Sequence, residues 1–162
     1  MRYDFTADDV FEIAEQMERN GAAFYRGAAG RVTDPGHKAL LAGLAEMEVE
    51  HEKMFASMRE ELKGKEREPT VFDPEGESER YLRALADTRV FFEKRMDVST
   101  MEGILLAAIQ AEKDSIVFYL GMKDLVSKDL GAGKMDRIVR EEMDHLRSLS
   151  TELVRLKGPA GG

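Results

Sequence analysis

Apolar residues return every three to four positions along four long stretches of this chain, the spacing of one buried face on an α-helix. In the first stretch they fall at Val10, Phe11, Ala14, Met17, Gly21, Phe24, Tyr25 and Ala28, with Thr6 as the expected N-cap and acids in the first turn. Gly30 and the segment RVTDPG break that pattern, and Asp34 is placed to cap a second helix with Pro35 at its first position. The second helix runs through Leu40, Leu44, Met47, Met54, Phe55, Met58 and Leu62. Ser99 and Glu102 read as a capping box opening a third helix. Glycines 131 and 133 mark a turn, and a fourth helix carries Ile138, Val139, Leu146, Leu149 and Leu153 before Gly158–Pro159. The expected bounds are about 7–30, 35–63, 100–127 and 132–157. Between them, about 64–99 forms a crossover: a loop, EREPTVFDPEGES, then a shorter amphipathic helix, ERYLRALADTRVFFEKR. The fold class is all-α, a single domain over 1–162 in which two helical hairpins joined by a long crossover make a four-helix bundle.

Four acids break the rule that charge belongs on the outer face. Glu18 shares its stripe with Ala14, Gly21, Ala22 and Tyr25, and Glu112 shares one with Leu105, Ala108, Ile109, Ile116 and Tyr119. Glu48 lies between Leu41, Leu44 and Phe55, and Glu142 between Ile138, Val139, Leu146 and Leu149. From Glu18 to the RVTDPG turn and from that turn to Glu48 are about a dozen residues each, so both acids return to one level at about 1.5 Å per residue. A buried carboxylate is protonated, paired or bound to a cation.

The acids also belong to a repeat. ERNGAAFY at 18–25 returns as EKDSIVFY at 112–119, and EVEH at 48–51 returns as EMDH at 142–145, every element displaced by 94 residues. In Glu48–His51 and Glu142–His145 the i,i+3 spacing puts both side chains on one helix face, where they can share a metal. Neutral imidazole and ionised carboxylate suit iron, manganese or zinc. Four Glu and two His make a two-metal site in which bridging carboxylates neutralise the cations. Glu15, Glu46, Glu50, Glu52 and Glu141 fall on or beside the outer face and read as solvated, and His37, without a paired acid in the sequence, reads as a surface residue.

These residues carry a resemblance. Through ERNGAAFY, LAEMEVEHEKMF, AEKDSIVFY and IVREEMDHLRSL the sequence resembles the ferritin-like domain of the rubrerythrin family along nearly its whole length. The resemblance implies a ferritin-like bundle with two irons on Glu18, Glu48, His51, Glu112, Glu142 and His145. It also implies that Tyr25 and Tyr119, each two turns after a ligand Glu, donate hydrogen bonds to ligand carboxylates across the bundle. The implied activity is reduction of hydrogen peroxide or dioxygen by a di-iron centre. The alternatives are ferritin-type iron oxidation and handling, and a structural metal-binding bundle without turnover. The chain departs from rubrerythrins at Ser115, where they carry a further carboxylate ligand one turn after the third-helix Glu. It also lacks cysteine, and with it a rubredoxin centre, so the implied electron donor is an external, rubredoxin-like protein.

Composition adds mainly exclusions. The absence of cysteine removes disulfides, thiolate nucleophiles and zinc ribbons. A net charge of −8 argues against nucleic acid and anionic membranes as partners. The N-terminal MRYDFTADDV holds no apolar signal core, which gives a cytoplasmic expectation. Long bundle helices with residual apolar stripe commonly associate, and a homodimer is expected.

Overall fold

A computed structural model describes residues 7–62, 80, 98–125 and 132–158. Within them the chain forms four helices and no strand: α1 (Ala7–Ala29), α2 (Pro35–Leu62), α3 (Met101–Leu125) and α4 (Ala132–Lys157). Helix α1 packs along α2 and α3 along α4, and the two hairpins meet through α1 against α3 and α2 against α4. The product is a four-helix bundle, as the periodicity requires. The Thr6 cap and the crossover helix lie outside the described residues. No helix among the described residues is long and apolar enough to cross a membrane.

Local chemistry sets the helix ends. Asp34 Oδ1 accepts the His37 amide at 2.9 Å, and its carbonyl accepts the Lys38 amide at 3.0 Å. That amide bond holds the Asp34 carboxyl below its ordinary value, as expected of an N-cap acid. At α3 the cap is Thr100 rather than Ser99: Thr100 Oγ1 accepts the Gly103 amide at 3.0 Å and its carbonyl accepts that of Ile104 at 3.0 Å. The first intrahelical bond therefore starts one residue later than a Ser99 box allows. At its far end α4 closes on Gly158, whose φ of 74° lies in the left-handed region that favours glycine.

Two apolar clusters fill the interior. One joins Phe11, Met17, Phe55, Met58, Phe118 and Ile138; the other joins Tyr25, Leu41, Leu44, Ile104, Leu105 and Leu149. Each fully buried Leu or Phe contributes about 1.5–3 kcal/mol, so these layers carry the bundle's stability. On every helix the six candidate ligands fall between the two clusters: after Met17 and before Tyr25, after Ala45 and before Phe55, after Ala108 and before Phe118, after Val139 and before Leu149. The bundle is thus apolar at both ends and polar in one internal layer.

Candidate metal centre

The structure brings Glu18, Glu48, His51, Glu112, Glu142 and His145 together in that layer, each no more than 5% exposed. They form two overlapping groups, Glu18–Glu48–His51–Glu142 and Glu48–Glu112–Glu142–His145, and within each group one ligand atom per residue lies within 4.8 Å of all the others. Glu48 and Glu142, from the facing helices α2 and α4 of the two hairpins, belong to both groups. Glu18 and His51 belong to one, Glu112 and His145 to the other. The 94-residue repeat is therefore realised as a pseudo-symmetric pair of positions sharing two carboxylates.

Both imidazoles turn Nδ1 inward. His51 Nδ1 is 2.8 Å from Glu142 Oε1 and 3.6 Å from Glu18 Oε2. His145 Nδ1 is 3.3 Å from Glu142 Oε2, 3.4 Å from Glu48 Oε1 and 3.6 Å from Glu112 Oε1. The two rings stack with centroids 5.5 Å apart. Above and below, Tyr25 donates its hydroxyl to Glu112 Oε1 and Tyr119 donates to Glu18 Oε1, each reaching from one hairpin to the other. Burial, and then the facing Glu112 or Glu18, pushes both phenols well above their ordinary value, so they remain donors.

Electrostatics show what this layer demands. Two ionised carboxylates within 4.8 Å repel by roughly 3 kcal/mol or more at an effective dielectric near 20. Burial, then the Glu142 charge, raises Glu18, Glu48 and Glu112. Glu142 moves the other way: burial opposes its charge, but the adjacent Glu112 carboxyl and both imidazoles hold it ionised. Burial disfavours charge on the histidines too, yet the facing carboxylates push His51 up to about 11 and His145 up to about 12. Without a metal, protons carry the compensating positive charge. Even so, Glu18 Oε2, Glu48 Oε1, Glu142 Oε2 and His145 Nδ1 are buried with no hydrogen-bond partner. These four atoms in one layer, three hard oxygens and one borderline nitrogen, suit a divalent cation.

Three residues of the site go beyond the sequence reading. Glu141, expected in solvent, accepts from His51 Nε2 at 2.8 Å, because its side chain leans from α4 onto the outer edge of the α2 imidazole. Met47 occupies the matching place on the other side, its sulfur 3.3 Å from His145 Nε2. Gly21 leaves room for Glu48: a Cβ there would sit 2.9 Å from Glu48 Oε2 and 3.2 Å from its carboxyl carbon. Buried Ser115 stands at the repeat equivalent of Gly21. The repeat displacement itself is the signal that finds these residues, since it pairs Glu141 with Met47 and Ser115 with Gly21.

Two other polar expectations are corrected. Glu15 is buried, one turn before Glu18, because Arg19 at 3.1 Å and Arg59 at 3.6 Å neutralise it between α1 and α2. His37 is half-buried and meets Glu152 Oε1 at 2.8 Å, an acid 115 positions away that only the fold brings near. Glu46 and Glu50 are solvated as expected.

Gly21 yields a prediction. Gly21→Ala favours the α1 helix by about 1 kcal/mol through propensity, yet displaces the Glu48 carboxylate. The metal-free variant should melt no lower than wild type, while calorimetric titration shows metal affinity reduced by about tenfold or more. Unchanged affinity would mean that the position of Glu48 does not matter to binding.

No protein-family model matches the chain, and no curated protein does. Among solved structures, the fold is similar to that of a candidate ferritin-like diiron-carboxylate protein from Thermotoga maritima, with 22% identity, a TM-score of 0.67, and coverage of 94% of this chain and 97% of the other. The bundle is ferritin-like in fold.

Proposed function

We propose that the chain is a rubrerythrin-like di-iron redox protein that reduces hydrogen peroxide or dioxygen with electrons from an external donor. The observation that carries this reading is the pair of buried four-residue Glu/His groups sharing Glu48 and Glu142. The unpartnered ligand atoms support a fit to two divalent ions: Glu18 and His51 would help hold one, Glu112 and His145 the other, and Glu48 and Glu142 would be available to both. Two ferrous ions held there would supply the two electrons that, with two protons, convert hydrogen peroxide into two waters.

The protein's own groups would do the rest. Tyr25 and Tyr119 fix one oxygen of Glu112 and Glu18, which orients these carboxylates and leaves the Glu18 Oε2 atom unpartnered. Each phenol keeps its proton at the hydroxyl oxygen, beside the layer where oxygen chemistry consumes protons. The apolar clusters on both sides keep bulk water away and strengthen every charge interaction inside. With no cysteine in the chain, re-reduction falls to another protein.

The test is single-turnover stopped flow on anaerobically prepared diferrous protein. Peroxide should oxidise the bound iron once, turnover should then stall, and a rubredoxin with its reductase should restore it. Ser115→Glu, which restores the carboxylate that rubrerythrins carry, should raise the ratio of peroxide to dioxygen rates. Failure of both oxidants would leave a structural metal bundle, and uptake of many irons per chain would point to ferritin-type iron handling.

A further inference from the structure

The pseudo-symmetry is close at the ligands and breaks outside them. Glu18 and Glu112, Tyr25 and Tyr119, Glu48 and Glu142, and His51 and His145 are matched pairs across the 94-residue displacement. The residues against the outer nitrogens are not matched: a carboxylate, Glu141, faces His51 Nε2 at 2.8 Å, and a thioether, Met47, faces His145 Nε2 at 3.3 Å. With a metal ion on Nδ1, the proton of each neutral imidazole would sit on Nε2. Donating it to a carboxylate moves electron density onto the ring and makes Nδ1 a stronger metal donor. A thioether accepts only weakly and does much less. Arg137 Nε, 2.9 Å from Glu141 Oε1, fixes the orientation of that carboxylate from the solvent side. A further mismatch, Gly21 against Ser115, lies one turn from Glu18 and Glu112 and, at Gly21, beside Glu48. Glu48 is shared by both positions, so displacing it favours neither.

We propose that Glu141 and Met47 make the two metal positions unequal, so that the Glu18–His51 position takes up a divalent ion first and the Glu112–His145 position second. Glu141 is a positioning and tuning residue that acts through His51. Met47 leaves the opposite imidazole without such support, and at 38% exposed it also sets that position nearer to solvent. The weaker position is the exchangeable one. The inference rests on the metal-centre reading above, and concerns which of its halves fills first.

The experiment is to give crystals of the metal-free protein half an equivalent of Co²⁺ per chain and measure the occupancy of each position by anomalous scattering at the cobalt edge. In wild type the His51 position should be favoured by about tenfold, the lower end of the effect of an outer partner on metal affinity. Glu141→Gln keeps an acceptor but removes the charge, and should bring the ratio close to one. Met47→Glu should do the same by strengthening the other side, and the double variant should reverse the preference. Glu141 and Met47 are both partly exposed, so the variants test the centre without removing core. Equal occupancy in wild type, or a preference that Glu141→Gln leaves unchanged, would overturn the proposal. Cobalt at neither position would reject the metal centre itself, a distinguishable failure.

Discussion

Replacing Glu48 with Ala lowers the affinity of both metal positions together, by more than about 100-fold, beyond the 10–100-fold that loss of an outer-shell partner costs. The reason is geometric: Glu48 is a member of both four-residue groups, with one unpartnered oxygen, Oε1, 3.4 Å from His145 Nδ1, and the other over Gly21 on α1. Its loss takes a ligand from each ion and leaves Glu18, Glu112 and Glu142 with less charge to share. Glu142→Ala should behave alike. Glu18→Ala and Glu112→Ala each remove a ligand from one group only, so in those variants one ion per chain should remain. The pattern across the four variants, read by metal analysis after gel filtration with helicity checked by circular dichroism, carries the information. Retention of two tightly bound ions by Glu48→Ala would contradict the shared-carboxylate arrangement.

The second large effect is on stability against pH. Glu18, Glu48 and Glu112 bind protons more tightly in the folded state than the ordinary carboxyl, and His51 and His145 are raised to about 11 and 12. The folded metal-free protein therefore holds more protons than the unfolded chain, and its stability falls as pH rises. The carboxyl contribution is present below about pH 4.5 and is lost as pH rises through their raised values. The histidine contribution is complete below about pH 6.5 and is lost on the way to pH 11–12. Glu142, held ionised, works oppositely and loses its contribution as pH falls below the ordinary carboxyl range. The metal-free protein should thus be most stable near pH 5. One excess bound proton costs about 1.4 kcal/mol per pH unit, and a chain of this size loses about 2–4 °C per kcal/mol. Between pH 6 and pH 9 the melting temperature should drop on the order of 10 °C. Divalent metal should reverse the slope, since binding requires the ligands to give up their protons. Calorimetric titrations in buffers of different ionisation enthalpy should accordingly show at least two protons released per chain. A flat melting profile from pH 5 to pH 8 would contradict a buried cluster of mutually repelling acids.

The four helices and the internal position of the acids were legible because both are local periodicities: a glutamate two turns from a tyrosine on an apolar stripe has nowhere to point but inward. The exact repeat made the grouping legible too, since it predicted that whatever held Glu48 and His51 also held Glu142 and His145. Contacts made sideways, between helices, were hidden. Glu141 sits beside the inner stripe of its own helix and reads as solvated, and only the neighbouring helix decides that it meets an imidazole. Glu15 reads as an outer acid until Arg59 is folded against it, and His37 until Glu152 is. The Ser99 box failed for a smaller reason: two adjacent hydroxyl residues both satisfy the capping pattern, and the backbone bond to the Thr100 carbonyl selects one of them.

The shared two-metal centre is tested most directly by the iron content of protein reconstituted anaerobically with ferrous iron and freed of excess, with its Mössbauer spectrum before and after oxidation. Two irons per chain, giving a magnetically coupled pair once oxidised, is the expected result, because two ions held by the two groups would share Glu48 and Glu142. One iron per chain or none, or two irons without magnetic coupling, would contradict a shared two-metal centre.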